Sequence, residues 1–301
     1  MPSTSRELSF GYFLVPNAAD PLLETAREVE RLGLEYVAVQ DHPYQRRFVD
    51  TFALMSAILA TTTSLRVFPD VANLPLRPPA VLAKTAASLD VLSGGRFELG
   101  LGAGSFWDAI DGYGGVRRGP GEAVDQLTEG IEVIRRIWSG ERNLRFEGEF
   151  YHLRGVHSGP VPMHDIGIWI GATGPRLLRQ TGRLADGWVP SIRAGALDRL
   201  AEMNDRVDEG AGDAGREPSA VRRIFNVNGV VTDGSSDGFL HGPADQWADE
   251  LTSLVVDHRA DTLVFWSGEG DGRDQLRRFA ETVVPATRER LPGATRSPRD
   301  G

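Results

Sequence analysis

Of the six histidines in this chain, His42 alone stands at the end of an apolar run, where LEYVAVQDH closes on Asp41 and His42. An imidazole titrates at about pH 6.5 in water, so at that position it can take a proton or give one. Asp41 has two open roles beside it: to orient the ring, or to cap the loop. His152, His157 and His164 follow later without the paired spacing of a zinc site. Cysteine is absent, which excludes thiolate nucleophiles, thiolate metal ligands and disulfides. Lys84 is the only lysine, and it falls inside a helical pattern rather than in a glycine loop or at a strand end. A Schiff-base or P-loop mechanism therefore has no lysine where it needs one.

Two further stretches carry chemistry. RFELGLGAGS brings Gly100, Gly102 and Gly104 to the end of a strand, as a nucleotide-binding loop would. A dinucleotide fingerprint needs G-x-G-x-x-G opening a helix. Here the spacing is G-x-G-x-G, and FWDAIDGYGG reads as a loop. The glycines are better explained as room for a flat ligand against backbone. The second stretch, GATGPRLLRQ, ends a strand at Gly171. Ala172, Thr173, Gly174 and Pro175 then open a helix whose free amides and dipole suit a phosphate, with Arg176 to add charge.

The elements that position these groups repeat with a steady rhythm. Apolar strands over 8–16, 34–42, 65–76 and 96–104 alternate with amphipathic helices, the first of them capped by Asp20 with Pro21 in its first turn. A long helix over 123–138 precedes an insertion at about 141–165, where LRFEGEFYHL predicts a hairpin turning at Glu147-Gly148. Four more strand–helix units follow, and the tail from 292 is expected to be disordered. Strands that are apolar throughout imply parallel pairing buried on both faces. Eight such units in 301 residues predict an α/β fold, a (β/α)8 TIM barrel with an insertion after the fourth βα unit, as one domain over 1–301.

In such a barrel the chemistry sits at the carboxyl ends of the strands. That brings His42 and Asp41 together with Gly11, Val71, Ala72, Asn73, Gly102, Ala103 and Gly104. Phe10, Trp107, Asp108, Trp188 and Trp266 stand at strand ends as a substrate pocket, with plain packing as the competing role of the aromatics. The formal charge of −9 argues against a nucleic-acid partner. No apolar run reaches membrane-spanning length and the N-terminus lacks a signal pattern, so a soluble cytoplasmic protein is expected.

Taken together, VQDHPY, LDVLSGGRFELGLGAG, the block from FEGEFYHL to GRLADGWVPS, and GPADQWADEL resemble the bacterial luciferase-like flavin and deazaflavin oxidoreductase superfamily. The resemblance covers nearly the whole chain and implies the same barrel. It further implies a flavin-type ring at the barrel mouth, its phosphate near Gly174 to Arg176, backed by a bulge with a non-prolyl cis peptide within Val71-Ala72-Asn73. Asp-His after the second strand is similar to members that use coenzyme F420, which is favoured here, with FMN as the alternative. Ser105 stands where some deazaflavin dehydrogenases carry a glutamate. The implied activity is hydride transfer to or from a small organic substrate, with His42 handling the proton. The alternatives are an FMN-dependent monooxygenase and a non-catalytic flavin-binding barrel. By analogy with the superfamily, a homodimer is expected.

Overall fold

The computed structural model describes residues 7–192 and 197–291. The first half runs β1 (Ser9–Leu14), α1 (Leu22–Arg31), β2 (Tyr36–Val39), α2 (Thr51–Thr61), β3 (Arg66–Pro69), β4 (Ala72–Asn73), α3 (Pro79–Ser93), β5 (Leu99–Gly102), α4 (Trp107–Gly112) and α5 (Pro120–Trp138). An antiparallel hairpin follows, β6 (Leu144–Glu147) with β7 (His152–Val156). The second half runs β8 (Ile168–Ile170), α6 (Pro175–Leu184), β9 (Gly187–Trp188), β10 (Ser191–Ile192), α7 (Leu197–Asp213), β11 (Arg222–Val231), β12 (His241–Gly242), α8 (Ala244–Val256), β13 (Thr262–Ser267), α9 (Gly272–Arg278) and α10 (Val284–Arg290).

Nine described strands pair in the order β3-β2-β1-β13-β11-β9-β8-β5-β4, each step parallel. β3 and β4 hold one place between them, because the chain jogs at a cis peptide bond between Asp70 and Val71. The ring closes where Val67 bridges Phe97. The result is the expected (β/α)8 barrel.

Because side chains alternate along a strand, each strand sends one set inward and the other toward the helices. Phe13, Tyr36, Ala38, Phe68, Trp169, Val189, Ile224 and Val264 fill the barrel. Tyr36, Phe68 and Trp169 meet edge to face there, with ring centroids 4.8–6.1 Å apart. The other set, including Val37, Val39, Leu99 and Leu101, packs beneath the helices.

Three local expectations are corrected. Pro21, not Asp20, occupies the N-cap of α1 and no side chain caps it; the carbonyl of Asp20 accepts from the Leu22 amide instead. FWDAIDGYGG is not a plain loop, since Trp107–Gly112 is helical and buries Ile110. The cis peptide falls one bond before the Val71-Ala72-Asn73 segment, at Asp70-Val71. The tail expected from 292 lies outside the described residues.

Candidate active site

At the carboxyl mouth of the barrel lies a cavity of about 760 Å³. Its wall includes Asp41, His42, Val71, Ala72, Asn73, Gly102, Ala103 and Gly104 from one side. Gly171 through Arg176, with Trp107 and Trp266, complete it on the others. Residues separated by more than 200 positions in sequence therefore meet, as the strand-end rule requires.

A larger cleft of about 980 Å³ opens at the opposite end, where the strands begin. On its wall His164 meets the carboxylates of Asp90 and Glu98, and Glu98 also holds Arg66. The Glu98 hydrogen bond raises the pKa of His164 above its ordinary value. That network ties α3 and β3 to the start of β5, and the strand-end rule points to the other mouth for chemistry.

His42 follows the end of β2. Its Nδ1 lies 2.5 Å from the Tyr44 hydroxyl, and its ring meets Phe106 edge-on with centroids 5.4 Å apart. Those contacts leave Nε2 as the nitrogen available to a ligand. Burial depresses its pKa below 6.5, with the Asp41 charge pulling the other way. The ring is therefore neutral and basic at neutral pH.

Asp41 does not hydrogen-bond the imidazole. Its carboxylate accepts from the Asn73 amide at 2.9 Å and from Arg77 through Nε and a terminal nitrogen, both at 2.7 Å. This fork–fork pair ties the end of β2 to the loop after β4. Arg77 reaches on to Asp50, whose side chain caps α2 through the Phe52 and Ala53 amides. Of its two open roles, Asp41 takes the loop-bracing one.

The glycines of β5 have a different purpose from the one expected. Leu99 and Leu101 face outward, so Gly100 and Gly102 face the barrel. A Cβ at Gly100 would lie 2.0 Å from the Pro69 carbonyl oxygen, and one at Gly102 would lie 2.7 Å from Val71 Cγ2. Gly171 leaves the same methyl its space, at 3.1 Å. The room is thus taken by the β3–β4 jog itself, which lifts Val71 into the mouth as an apolar platform. Gly100→Ala is expected to cost stability at or above the upper end of the ~1–3 kcal/mol typical of overpacking, because backbone cannot yield. Denaturant unfolding measures it.

Several expected site residues lie elsewhere. Phe10 faces the helices, packed on Phe279 and under Arg288. Gly11 faces inward but below the cavity, against Tyr36. Trp188 points outward too: its indole N–H donates to the Ala172 carbonyl at 2.9 Å, and its ring meets Phe225. Both tryptophan and phenylalanine fail on parity, since positions 11 and 13 of β1 and 187 and 189 around β9 are the inward ones. Asp108 is exposed and paired with Arg117.

Sequence reasoning passes over Tyr44 and Asp70, and it includes Phe13, stacked on Trp266 at 4.6 Å, Phe106 and Asn226 only as members of strand-end segments without a role of their own. Asp70 is the most unusual of these. Burial pushes its pKa up to about 7, opposed by the Asn226 side chain.

The N-terminus of α6 borders the cavity, with Gly174 as N-cap and Pro175 in the first turn. Arg176 is held by the Gly121 carbonyl and the Asp125 carboxylate of α5, so the starts of two helices converge on one rim. Helix starts carry partial positive charge, and two of them suit a phosphate. The apolar Val71 platform, the flat aromatic walls, and the enclosed oxygens of Asp70, Asn73 and Asn226 that find no donor among the described residues together fit a polar-edged, phosphorylated ring.

The fold and this mouth define a (β/α)8 barrel with a candidate acid–base site at its carboxyl end. The chain belongs to the luciferase-like monooxygenase family, whose model it matches over residues 5–237. It is 30% identical over 235 residues to an F420-dependent glucose-6-phosphate dehydrogenase of Gordonia bronchialis, covering 74% of this chain and 68% of that one. It is 31% identical over 252 residues to an F420-dependent hydroxymycolic acid dehydrogenase of Mycobacterium tuberculosis, covering 79% of this chain and 65% of the other. An F420-dependent secondary alcohol dehydrogenase solved with an F420–acetone adduct shares the fold, with TM-score 0.80 at 18% identity over 93% of this chain and 99% of that one.

Proposed function

We propose that this chain is an oxidoreductase that moves a hydride between coenzyme F420 and a small organic alcohol or carbonyl compound. The observation that carries the reading is the placement of a neutral, half-buried imidazole beside an apolar platform at a phosphate-friendly barrel mouth. The dehydrogenase relatives support the cofactor.

Val71, Ala72 and Asn73 would lie behind the ring, and the first turn of α6 with Arg176 would hold the phosphate. The bound deazaflavin supplies a carbon centre that accepts or returns a hydride. In the oxidising direction the substrate C–H bond gives up its electron pair with the hydrogen. The O–H proton passes to His42 Nε2, and the carbon–oxygen double bond forms. In the reducing direction the imidazolium returns that proton to the carbonyl oxygen. Phe106 packs edge-on against the imidazole and Tyr44 holds the ring nitrogen opposite, so the imidazole would meet the substrate in one orientation.

The second reading is an FMN-dependent monooxygenase, which the family's own description favours. Titrating the apoprotein with F420 and with FMN, followed by absorbance and fluorescence, separates them. Saturable F420 binding with none for FMN is the expected result; the reverse would transfer the protein to the monooxygenase reading.

We also propose a cytoplasmic homodimer. Absence of cysteine suits a reducing compartment, and among the described residues no helix is long and apolar enough to cross a membrane. The exposed apolar side chains Val81 and Leu92 on α3 offer a surface for a second copy.

A further inference from the structure

The floor of the cavity holds an acid that hydride transfer through His42 does not use. Along β3 the side chain of Phe68 points into the barrel and Pro69 points out, so Asp70 enters the barrel one layer nearer the mouth. On β11 the same alternation sends Ile224 and then Asn226 inward. Asp70 and Asn226 thus reach one level from two different strands, both line the cavity, and their side chains hydrogen-bond each other.

Asn226 is 2% exposed. Asp70 Oδ2 and Asn226 Oδ1 are both enclosed and find no donor among the described residues. A carboxylate oxygen sealed from water without a donor is costly while charged, and the cost falls when the group takes a proton. A protonated carboxyl is also a different instrument from a carboxylate, because it can donate as well as accept.

The charged groups around this floor leave that state undisturbed. Asp41 is neutralised by Arg77 through two bonds, and Arg176 is engaged by Asp125 at the rim. His42 is the other titratable group on the cavity wall, and burial holds it neutral at neutral pH. Burial dominates the behaviour of Asp70, whose pKa stands at about 7.

We propose that Asp70, oriented by Asn226, enters ligand binding as a neutral carboxylic acid that donates a hydrogen bond to a carbonyl on the polar edge of the cofactor's ring. This deepens the cofactor reading above and rests on it. The chemistry recognised is a ring carbonyl flanked by N–H, an edge that deazaflavins and flavins share. Asp70 thereby selects for a planar ring with an acceptor edge, and holds one proton for as long as the ring is bound.

The sign follows from linkage. The ligand favours the protonated acid, so affinity is full below the pKa of free Asp70 and declines as pH rises through about 7. Asp70→Asn keeps a donor and an acceptor on the same frame but cannot titrate. The test measures F420 dissociation constants for both proteins, by fluorescence, from about pH 5.5 to 8.5, with FMN in parallel. Ionisations of His42 and of the cofactor are common to both proteins and cancel in the ratio of the two constants. That ratio is expected to be flat to about pH 6 and to turn against the wild type roughly tenfold by about pH 8.

Calorimetry of the wild type in two buffers of different ionisation enthalpy reads the same event without a variant. Net proton uptake accompanies ring binding above neutrality. The ligand whose binding shows the uptake, F420 or FMN, is the one Asp70 recognises. Tight F420 binding with a flat ratio and no proton uptake would overturn this proposal and leave the cofactor reading standing. Failure of both cofactors to bind at any pH would remove both.

Discussion

His42→Ala is expected to lower kcat by about 10²–10⁴-fold, the usual contribution of a positioned proton carrier, with F420 affinity changing little. The separation follows from geometry: the ring would rest on Val71 and the rim, whereas the imidazole meets the substrate from the end of β2. The pH profile carries a second signature. In the oxidising direction the neutral imidazole is the active form, so kcat/KM is full at neutral pH and falls as pH drops through a pKa that burial has lowered from 6.5. That acid limb disappears in the variant, and added imidazole restores part of the rate. A variant that kept full kcat in steady-state assays with F420 would remove His42 from the reaction.

Arg77→Met is expected to destabilise the fold by about 3–5 kcal/mol, the loss seen when one partner of a buried ion pair is removed. The Asp41 side chain is 1% exposed and loses two charge-assisted bonds at once, keeping only the Asn73 amide. Met can retain some of the stacking that the guanidinium makes on Phe52, so the loss reports mainly the stranded carboxylate. Adding Asp41→Asn should recover a measurable part, because the two positions act as one unit. Urea unfolding of the single and double variants reads both numbers. An additive double variant would mean that the pair does not brace the loop.

Much of the architecture was legible because it depends on local pattern. Apolar strands such as YVAV and TLVFWS, separated by helices of helical periodicity, require a parallel sheet covered on both faces. Eight repeats of that unit leave a closed barrel as the simplest way to bury every strand. The strand-end rule then predicts His42, Val71 and Arg176 on one rim, and all three line the cavity.

The same property hid the parity of each strand. Where both faces are apolar, no polar alternation says which residues point inward. Phe10 and Trp188, expected in the pocket, therefore pack beneath helices, and Asp70 is the inward member of its pair of positions. One polar letter in LRVFPDVAN was the available signal, since an acid in an otherwise apolar strand has to be accommodated somewhere.

Residue order alone thus determined the repeating strand–helix units, the end of the barrel that does chemistry, and the histidine at its rim, because each depends on periodicity within a few turns of chain. Tertiary structure alone decided that Arg77, 36 positions away, captures Asp41. It also decided that the β5 glycines yield their space to Pro69 and Val71, and that Asp70, partly buried on the cavity wall with one oxygen enclosed, stands beside Asn226. Such facts arise from which surfaces meet once the ring has closed, and the energies that settle them, exclusion of water and overlap of atoms, exist only between parts of the chain brought together by folding.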